Sequence, residues 1–304
     1  MRSKCPAPED GVVLQHPPKE KNLTGGGIFV LKKFHPLSKG ICMEVIISQS
    51  AQSAAEKAAR YIADVVKRKP DCVLGLATGS TPLPLYEKLA QLHKNDGLDF
   101  SKVTTFNLDE YLGLPPEDPR SYHYFMFENL FNKINVPRQN INIPDGMTDN
   151  VIKFCNYYER KIKESGGIDL QILGIGTDGH IGFNEPTSSF ASRTRIKTLT
   201  RETIKSNARF FDGDESKVPQ HVITMGIGTV MDAANILMLA FGKDKADAVE
   251  RSVEGAISAF TPASILQMHR HVKFLVDEDA AGKLKLSEYY KWVYERKPEW
   301  NKWL

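Results

Sequence analysis

The stretch Cys72-Val-Leu-Gly-Leu-Ala-Thr-Gly-Ser-Thr-Pro82 sets the architecture of this chain. Its first six residues are apolar or small and read as a short strand. Thr78 to Thr81 form a small-residue turn, and Pro82, well suited to the first turn of a helix, opens a helical stretch to about Lys94. The same strand-then-helix unit recurs on both sides. Upstream, residues 43–48 are a strand, and residues 50–67 place Ala54, Ala55, Ala58, Ala59, Ile62, Val65 and Val66 on one helical face that stops before Pro70. Downstream, residues 102–108 form a β-branched strand, Ser121 caps an aromatic-rich helix to about Ile134, and residues 150–165 form another helix. Residues 168–175, 222–225, 236–241 and 272–276 read as buried strands with helices between them, and Ala280 begins a closing helix. The alternation predicts an α/β fold: an open, mostly parallel sheet with helices on both faces. In such sheets ligands bind beyond the carboxyl ends of the strands.

Composition narrows the function classes. The 304 residues are 41% hydrophobic and 25% charged, which excludes a collagen, a coiled coil, a disordered tail and a disulfide-stapled mini-protein. A chain this long buries about 75% of the surface its unfolded form exposes. The net charge of +3 gives no footprint of a nucleic-acid binder, yet a small anionic substrate needs only a few local cations. Cys5, Cys42, Cys72 and Cys155 have neither metal-clasp nor redox spacing; Cys72 and Cys155 read as small apolar residues in a reducing, cytoplasmic setting. No run of 18 apolar residues occurs, and the N-terminal apolar cluster at 28–31 is too short for a signal-peptide core. A soluble, intracellular protein without membrane contact is expected. Residues 1–42 hold five prolines and the Gly25-Gly-Gly27 run without periodicity, and read as a flexible N-terminal extension before a single α/β domain over 43–304.

Three segments carry chemistry, each just past a strand. In the first, the backbone N–H groups around Thr78, Gly79, Ser80 and Thr81, their hydroxyls and the following helix N-terminus can seat a phosphate; the plain alternative is a strand-to-helix turn. It is neither a Walker loop nor a dinucleotide turn. In the second, Phe106-Asn-Leu-Asp-Glu-Tyr111, two adjacent carboxylates follow a strand, where burying charge is costly. One of them can serve as a general base; otherwise Asp109 caps a helix and Glu110 is a solvent charge. The third, Gly174-Ile-Gly-Thr-Asp-Gly-His-Ile-Gly-Phe-Asn-Glu-Pro186, threads four glycines between Asp178, His180 and Glu185. Glycine permits close backbone approach to a ligand, and carboxylates beside an imidazole orient it and tune its proton affinity, so the segment reads as a catalytic loop. Arg209 and Lys245 are either solvated surface charges or the cations a phosphate dianion needs.

Taken in order, Thr-Gly-Ser-Thr-Pro at 78–82, the block at 106–111, the glycine-rich block at 176–186, Ser-Arg-Thr-Arg-Ile-Lys-Thr-Leu-Thr at 192–200 and Ala-Arg-Phe-Phe-Asp at 208–212 resemble the glucosamine-6-phosphate deaminase family. The resemblance runs from about Met43 to the end and leaves residues 1–42 without a counterpart. It implies a Rossmann-like fold of the sugar-phosphate isomerase type and conversion of glucosamine 6-phosphate and water to fructose 6-phosphate and ammonia, in amino sugar catabolism. By the same resemblance Asp109 moves a proton between C2 and C1, and His180, held by Asp178 and Glu185, opens the pyranose ring. Thr78 to Thr81, Arg209 and Lys245 hold the 6-phosphate, and no metal, nucleotide or redox cofactor is required. A base ionised at pH 7 suits Asp109, and an acid–base near neutrality suits His180.

Ser188, Arg195, Lys197 and Thr198 match the effector site of the family's allosteric branch, which binds N-acetylglucosamine 6-phosphate at a subunit boundary. A homo-oligomer, with a hexamer among the forms open to it, is the corresponding expectation. The plain reading of 195–198 is a strand with Arg195 and Lys197 facing solvent. This chain departs from the allosteric pattern at Phe260-Thr261, where Trp-Thr is usual, and at Lys291, where a tyrosine tends to complete the pocket; the N-terminal amine, which can contact the effector in the family, would be displaced by residues 1–42 if they are translated. Two competing functions share the architecture. A 6-phosphogluconolactonase hydrolyses an ester and needs no base at Asp109, and a non-catalytic sugar-phosphate sensor predicts a helix-turn-helix module and loss of the acids.

Overall fold

The computed structural model describes residues 42–298. The extension expected over 1–42 lies outside the described residues except for Cys42, which begins the first strand one position earlier than the sequence pattern suggests. In chain order the elements are β1 (Cys42–Ser48), α1 (Ala51–Arg68), β2 (Val73–Leu76), α2 (Leu83–Asp96), β3 (Thr104–Asn107), β4 (Asp109–Tyr111), α3 (Tyr122–Met126), β5 (Ile141–Asn142) and α4 (Val151–Glu164). They continue with β6 (Leu170–Gly174), β7 (Arg195–Thr198), α5 (Arg201–Asn207), β8 (His221–Thr224), α6 (Ile227–Met231), β9 (Ile236–Ala240), α7 (Ala246–Val253), β10 (His271–Asp277) and α8 (Ser287–Glu295).

Seven strands form one parallel sheet in the order β1-β10-β9-β6-β2-β3-β5. Continuous apolar runs allow this, because a parallel sheet is covered on both faces. Along β9, Ile236, Met238 and Ala240 enter one core while Leu237 and Leu239 enter the other. The first core is completed by Tyr158 and Ile162 of α4, Val230 of α6 and Val249 of α7; the second by Ala54, Ala58 and Ile62 of α1 and Leu85 and Leu89 of α2. Burying each Val, Leu or Ile side chain is worth about 1.5–3 kcal/mol, so the period-2 split of the strands fixes which helices lie on which side. Caps set the helix starts: Ser50 Oγ accepts from Ser53 N at 3.2 Å and Asn150 Oδ1 from Lys153 N at 3.0 Å.

The strand order creates the site. From β2 the chain moves outward through β3 to β5, then returns to β6 on the other side of β2 and moves away through β9 to β10. The loops leaving β2 and β6 therefore diverge at a topological switch point, where open α/β sheets bind ligands.

Three expectations are corrected here. Residues 222–225 do not join the parallel sheet. β8 pairs antiparallel with β4 and β7 in a separate three-stranded sheet, its Thr224 opposite both Asp109 and Arg195. The aromatic-rich helix divides at Met126, with residues 127–131 continuing as a π-turn in which Asn132 N donates to Phe127 O. The closing helix begins at Ser287 rather than Ala280, because the Asp277 carboxylate captures Gly242 N and Ala280 N and holds a turn there.

Candidate active site

The turn after β2 closes on itself before α2. Leu83 N donates to Ser80 O at 3.3 Å, and the Tyr86 hydroxyl donates to Ala77 O at 2.5 Å, tying the first turn of α2 back to the strand end. Gly79 sits at φ +97°, a backbone region that costs any residue with a Cβ about 1–2 kcal/mol. Thr78, Gly79 and Thr81 are half-buried and Ser80 is exposed, so the turn presents its amides and hydroxyls at the carboxyl edge of the sheet.

Across the switch point, the loop after β6 folds around His180. The imidazole Nδ1 lies 2.7 Å from Asp178 Oδ1, the same oxygen that accepts from His180 N at 3.1 Å. Both side chains stay accessible, at 25% and 40% exposure, so the pair can reach a ligand. Burial alone would raise the Asp178 pKa; the imidazole and the His180 amide outweigh it and hold the carboxyl below its ordinary value. The ring lies over Gly176, where an added Cβ would stand 2.2 Å from the imidazole. No other residue type leaves that space.

Asp109 stands at the start of β4, two residues beyond the end of β3, and is 5% exposed. It faces the His180 loop: a Cβ on Gly182 would lie 3.4 Å from Asp109 Oδ2. Enclosure pushes its pKa up to about 8, with the neighbouring Glu110 charge adding to the rise. The expectation of a carboxylate ionised at pH 7 is corrected accordingly, since burial favours the neutral form. A base poised about a unit from neutrality is still apt for proton transfer.

Glu185 is placed differently from the expectation. It is 1% exposed, and its Oε1 accepts from Thr200 N (3.0 Å), Thr200 Oγ1 (2.9 Å) and Thr203 Oγ1 (2.5 Å) at the start of α5. Among the described residues no ion pair joins it to His180, whose acidic partner is Asp178. The donors at the α5 N-terminus capture the carboxylate, so Glu185 anchors the far end of the loop.

A family model described as glucosamine-6-phosphate isomerases/6-phosphogluconolactonase matches residues 47–275. The chain belongs to this family. A glucosamine-6-phosphate deaminase from Arthrobacter sp. (strain FB24) is 51% identical over 259 residues, covering 85% of this chain and 99% of that protein. One from Hahella chejuensis (strain KCTC 2396) is 54% identical over 251 residues, covering 83% and 95%. Among solved structures, a monomeric glucosamine-6-phosphate deaminase superposes with a TM-score of 0.78 at 45% identity, over 79% of this chain and all of that one. The 6-phosphogluconolactonase of Trypanosoma brucei shares the fold, with a TM-score of 0.65 at 20% identity over 81% of this chain and all of that one.

Within this isomerase/lactonase family framework the two candidate phosphate cations separate. Lys245 opens α7 beyond the end of β9, on the same sheet edge as the Thr78 turn, with 19% of its side chain exposed and Nζ 3.3 Å from Asp244. Arg209 follows α5, exposed, its guanidinium 4.7 Å from the centre of the Phe210 ring. Among the described residues no hydrogen bond or ion pair joins Arg209 to the turn or to Lys245.

The 195–198 strand inverts its plain reading. Ile196 is 47% exposed while Arg195 and Lys197 are half-buried, and Arg195 donates to Asn184 Oδ1 at 2.9 Å. Ser188 is buried, and Thr198 Oγ1 is 3.2 Å from His221 Nδ1. Lys291 is engaged by Glu278 at 2.9 Å, and Phe260 is 72% exposed. The sequence reasoning missed an aromatic cluster that fastens the His180 loop to β4: Tyr122 stacks on Phe183 at 6.1 Å, and Tyr111 packs on Tyr122, Phe183 and Phe211. The aromatic residues of the two blocks carried that signal.

Among the described residues no helix is long and apolar enough to cross a membrane. Cys72 and Cys155 are buried and free.

Proposed function

We propose that this chain converts glucosamine 6-phosphate and water to fructose 6-phosphate and ammonia, as the names of its relatives suggest. The observation that carries the reading is the facing of two groups across the switch point: a buried carboxyl, Asp109, and an accessible Asp178–His180 pair on one glycine-rich loop. Ring opening comes first, because the C2 proton becomes acidic only beside a free aldehyde. His180 takes the C1 hydroxyl proton and returns one to the ring oxygen, with Asp178 orienting the imidazole. Asp109 then removes the C2 proton and delivers it to C1 through a cis-enolamine. Water adds to the resulting C2 iminium, and ammonia leaves the carbinolamine. Thr78 to Thr81, Lys245 and Arg209 are read as the 6-phosphate grip, which supplies positioning. Glu185, on this reading, shapes the loop rather than exchanging protons.

The assay that separates this reading from the lactonase one uses both substrates. Ammonia from glucosamine 6-phosphate without hydrolysis of 6-phosphogluconolactone supports it; lactone hydrolysis alone reverses the assignment.

We further infer a cytoplasmic enzyme of amino sugar catabolism, since two free buried thiols suit a reducing compartment. Ser188, Arg195, Lys197 and Thr198 are read as an effector site for N-acetylglucosamine 6-phosphate in a homo-oligomer. The half-burial of Arg195 and Lys197, with apolar Ile196 exposed between them, favours a strand that serves an anion on one face and a neighbouring subunit on the other. Light scattering with and without the effector tests this; a monomer indifferent to it would demote the strand to structure.

A further inference from the structure

Glu110 was open to a plain reading as a solvent charge, and the structure excludes that. The residue is 2% exposed. Its Oε1 accepts from Tyr111 N at 2.8 Å and Tyr122 N at 2.9 Å, and its Oε2 accepts from His123 N at 2.8 Å. Two of these amides belong to the first residues of α3, twelve and thirteen positions along the chain, so a single carboxylate clasps the corner that brings Tyr122 over the site. Tyr122 in turn stacks on Phe183 of the His180 loop.

Neighbouring residues of a strand point to opposite faces. Asp109 therefore projects toward Gly182 while Glu110 projects behind it, into the corner of α3. The Glu110 charge on β4 adds to the rise of the Asp109 pKa, and Asp109 in turn bears on Tyr111 of β4, Tyr86 of α2, Tyr122 of α3 and Tyr158 of α4. All are acids or phenols, and burial keeps the phenols neutral. Glu110 is the charge that bears on Asp109 from behind, and Asp118 is the further acid felt by Glu110 itself.

We propose that Glu110 is a positioning residue for the proton transfer between C2 and C1: its amide-clasped carboxylate fixes β4 against α3 and places a negative charge behind Asp109 that strengthens it as a base. The inference rests on the reading of Asp109 as that base. A like charge nearby favours the protonated form of Asp109, and a more basic carboxylate removes a carbon-bound proton faster once ionised. Burial pushes the Glu110 pKa up, to about 7, against the three amides that stabilise its anion.

The test is the pH profile of kcat/KM in Glu110→Gln, which keeps the side chain's size and removes the charge, while turning an NH2 group toward one of the amides that the carboxylate accepts. The acid limb should move down by about half a pH unit or more, with kcat on the plateau reduced about 3- to 10-fold and KM changed less than about twofold. An unmoved acid limb, or a loss confined to KM, would overturn the proposal and leave Glu110 a purely structural clasp. Glu110→Asp retains the charge on a shorter reach, so it should restore the limb to its wild-type position while kcat stays reduced; a limb displaced as in Glu110→Gln would count against the charge. A measurement independent of the variants' folding uses the unaltered enzyme: the amide proton resonances of Tyr122 and His123 should titrate across the acid limb, and flat signals would contradict the proposal. Asp109→Asn, run alongside, separates the two claims, since turnover surviving in that variant removes the base assignment whatever Glu110 does.

Discussion

Asp178 Oδ1 meets His180 twice, 2.7 Å from the ring Nδ1 and 3.1 Å from the backbone N of the same residue. One carboxylate thus sets both the ring and the chain that carries it, which leaves the other ring nitrogen for a substrate. Asp178→Ala should lower kcat about 10²-fold, and His180→Gln by about 10²–10⁴, in steady-state ammonia release. A 4,5-dideoxy analogue of the substrate, which has no hydroxyl with which to close a five- or six-membered ring, should recover much of the His180→Gln loss. Equal impairment with both substrates would remove His180 from ring opening.

The contact between Gly176 and the imidazole yields a second expectation. A methyl group at 176 competes for the space of the ring, 2.2 Å away, while the rest of the loop stays pinned by Glu185 and Asn184. Gly176→Ala should therefore fold, keep its affinity for a sugar-phosphate inhibitor within a few-fold, and lose kcat about 10²-fold or more. Full activity in that variant would show that the ring is not needed where it lies.

Stability should depend on pH through Asp109. Its folded-state pKa, about 8, is raised above the ordinary carboxyl value of 3.8 by enclosure and by Glu110. The folded chain therefore holds a proton that the unfolded chain has released, and stability falls as pH rises from about 4 to about 8. Asp109→Asn removes this loss, so its Tm should exceed wild type by roughly 3–6 °C at pH 8 and by clearly less at pH 5. The same titration gives kcat/KM an acid limb that rises toward pH 8. Calorimetry at the two pH values checks the sign; a Tm difference that shrinks as pH rises would contradict it.

Much of this was legible locally. The apolar strands, the Ser50 and Asn150 caps and the three polar blocks just past strand ends depend on residues within a few positions of each other, and the sequence pattern placed them within two or three residues. What stayed hidden depends on distant partners. Thr200 and Thr203 take Glu185 from fifteen and eighteen residues away. Tyr122 and His123 bury Glu110 across the whole 112–121 loop. The membership of β8 was hidden for a related reason: a short apolar run reads alike in a parallel and an antiparallel sheet, and only its pairing with Asp109–Tyr111 decides. The half-burial of Arg195 and Lys197 was hidden as well, since charges ordinarily face water.

The effector strand makes the regulatory prediction. If Lys197 serves an anion, Lys197→Ala should abolish any response of the substrate curve to N-acetylglucosamine 6-phosphate while leaving kcat at saturation within about twofold. An effector response that persists in the variant would place the anion elsewhere.

Asp109 is the group on which the proposed deamination most directly depends. Ammonia and fructose 6-phosphate should be measured together from glucosamine 6-phosphate, with wild-type enzyme and Asp109→Asn side by side. The wild type should give equimolar products and the variant a loss of about 10³-fold or more, with sugar-phosphate binding kept. Undiminished release by Asp109→Asn, or none by the wild type, would contradict it.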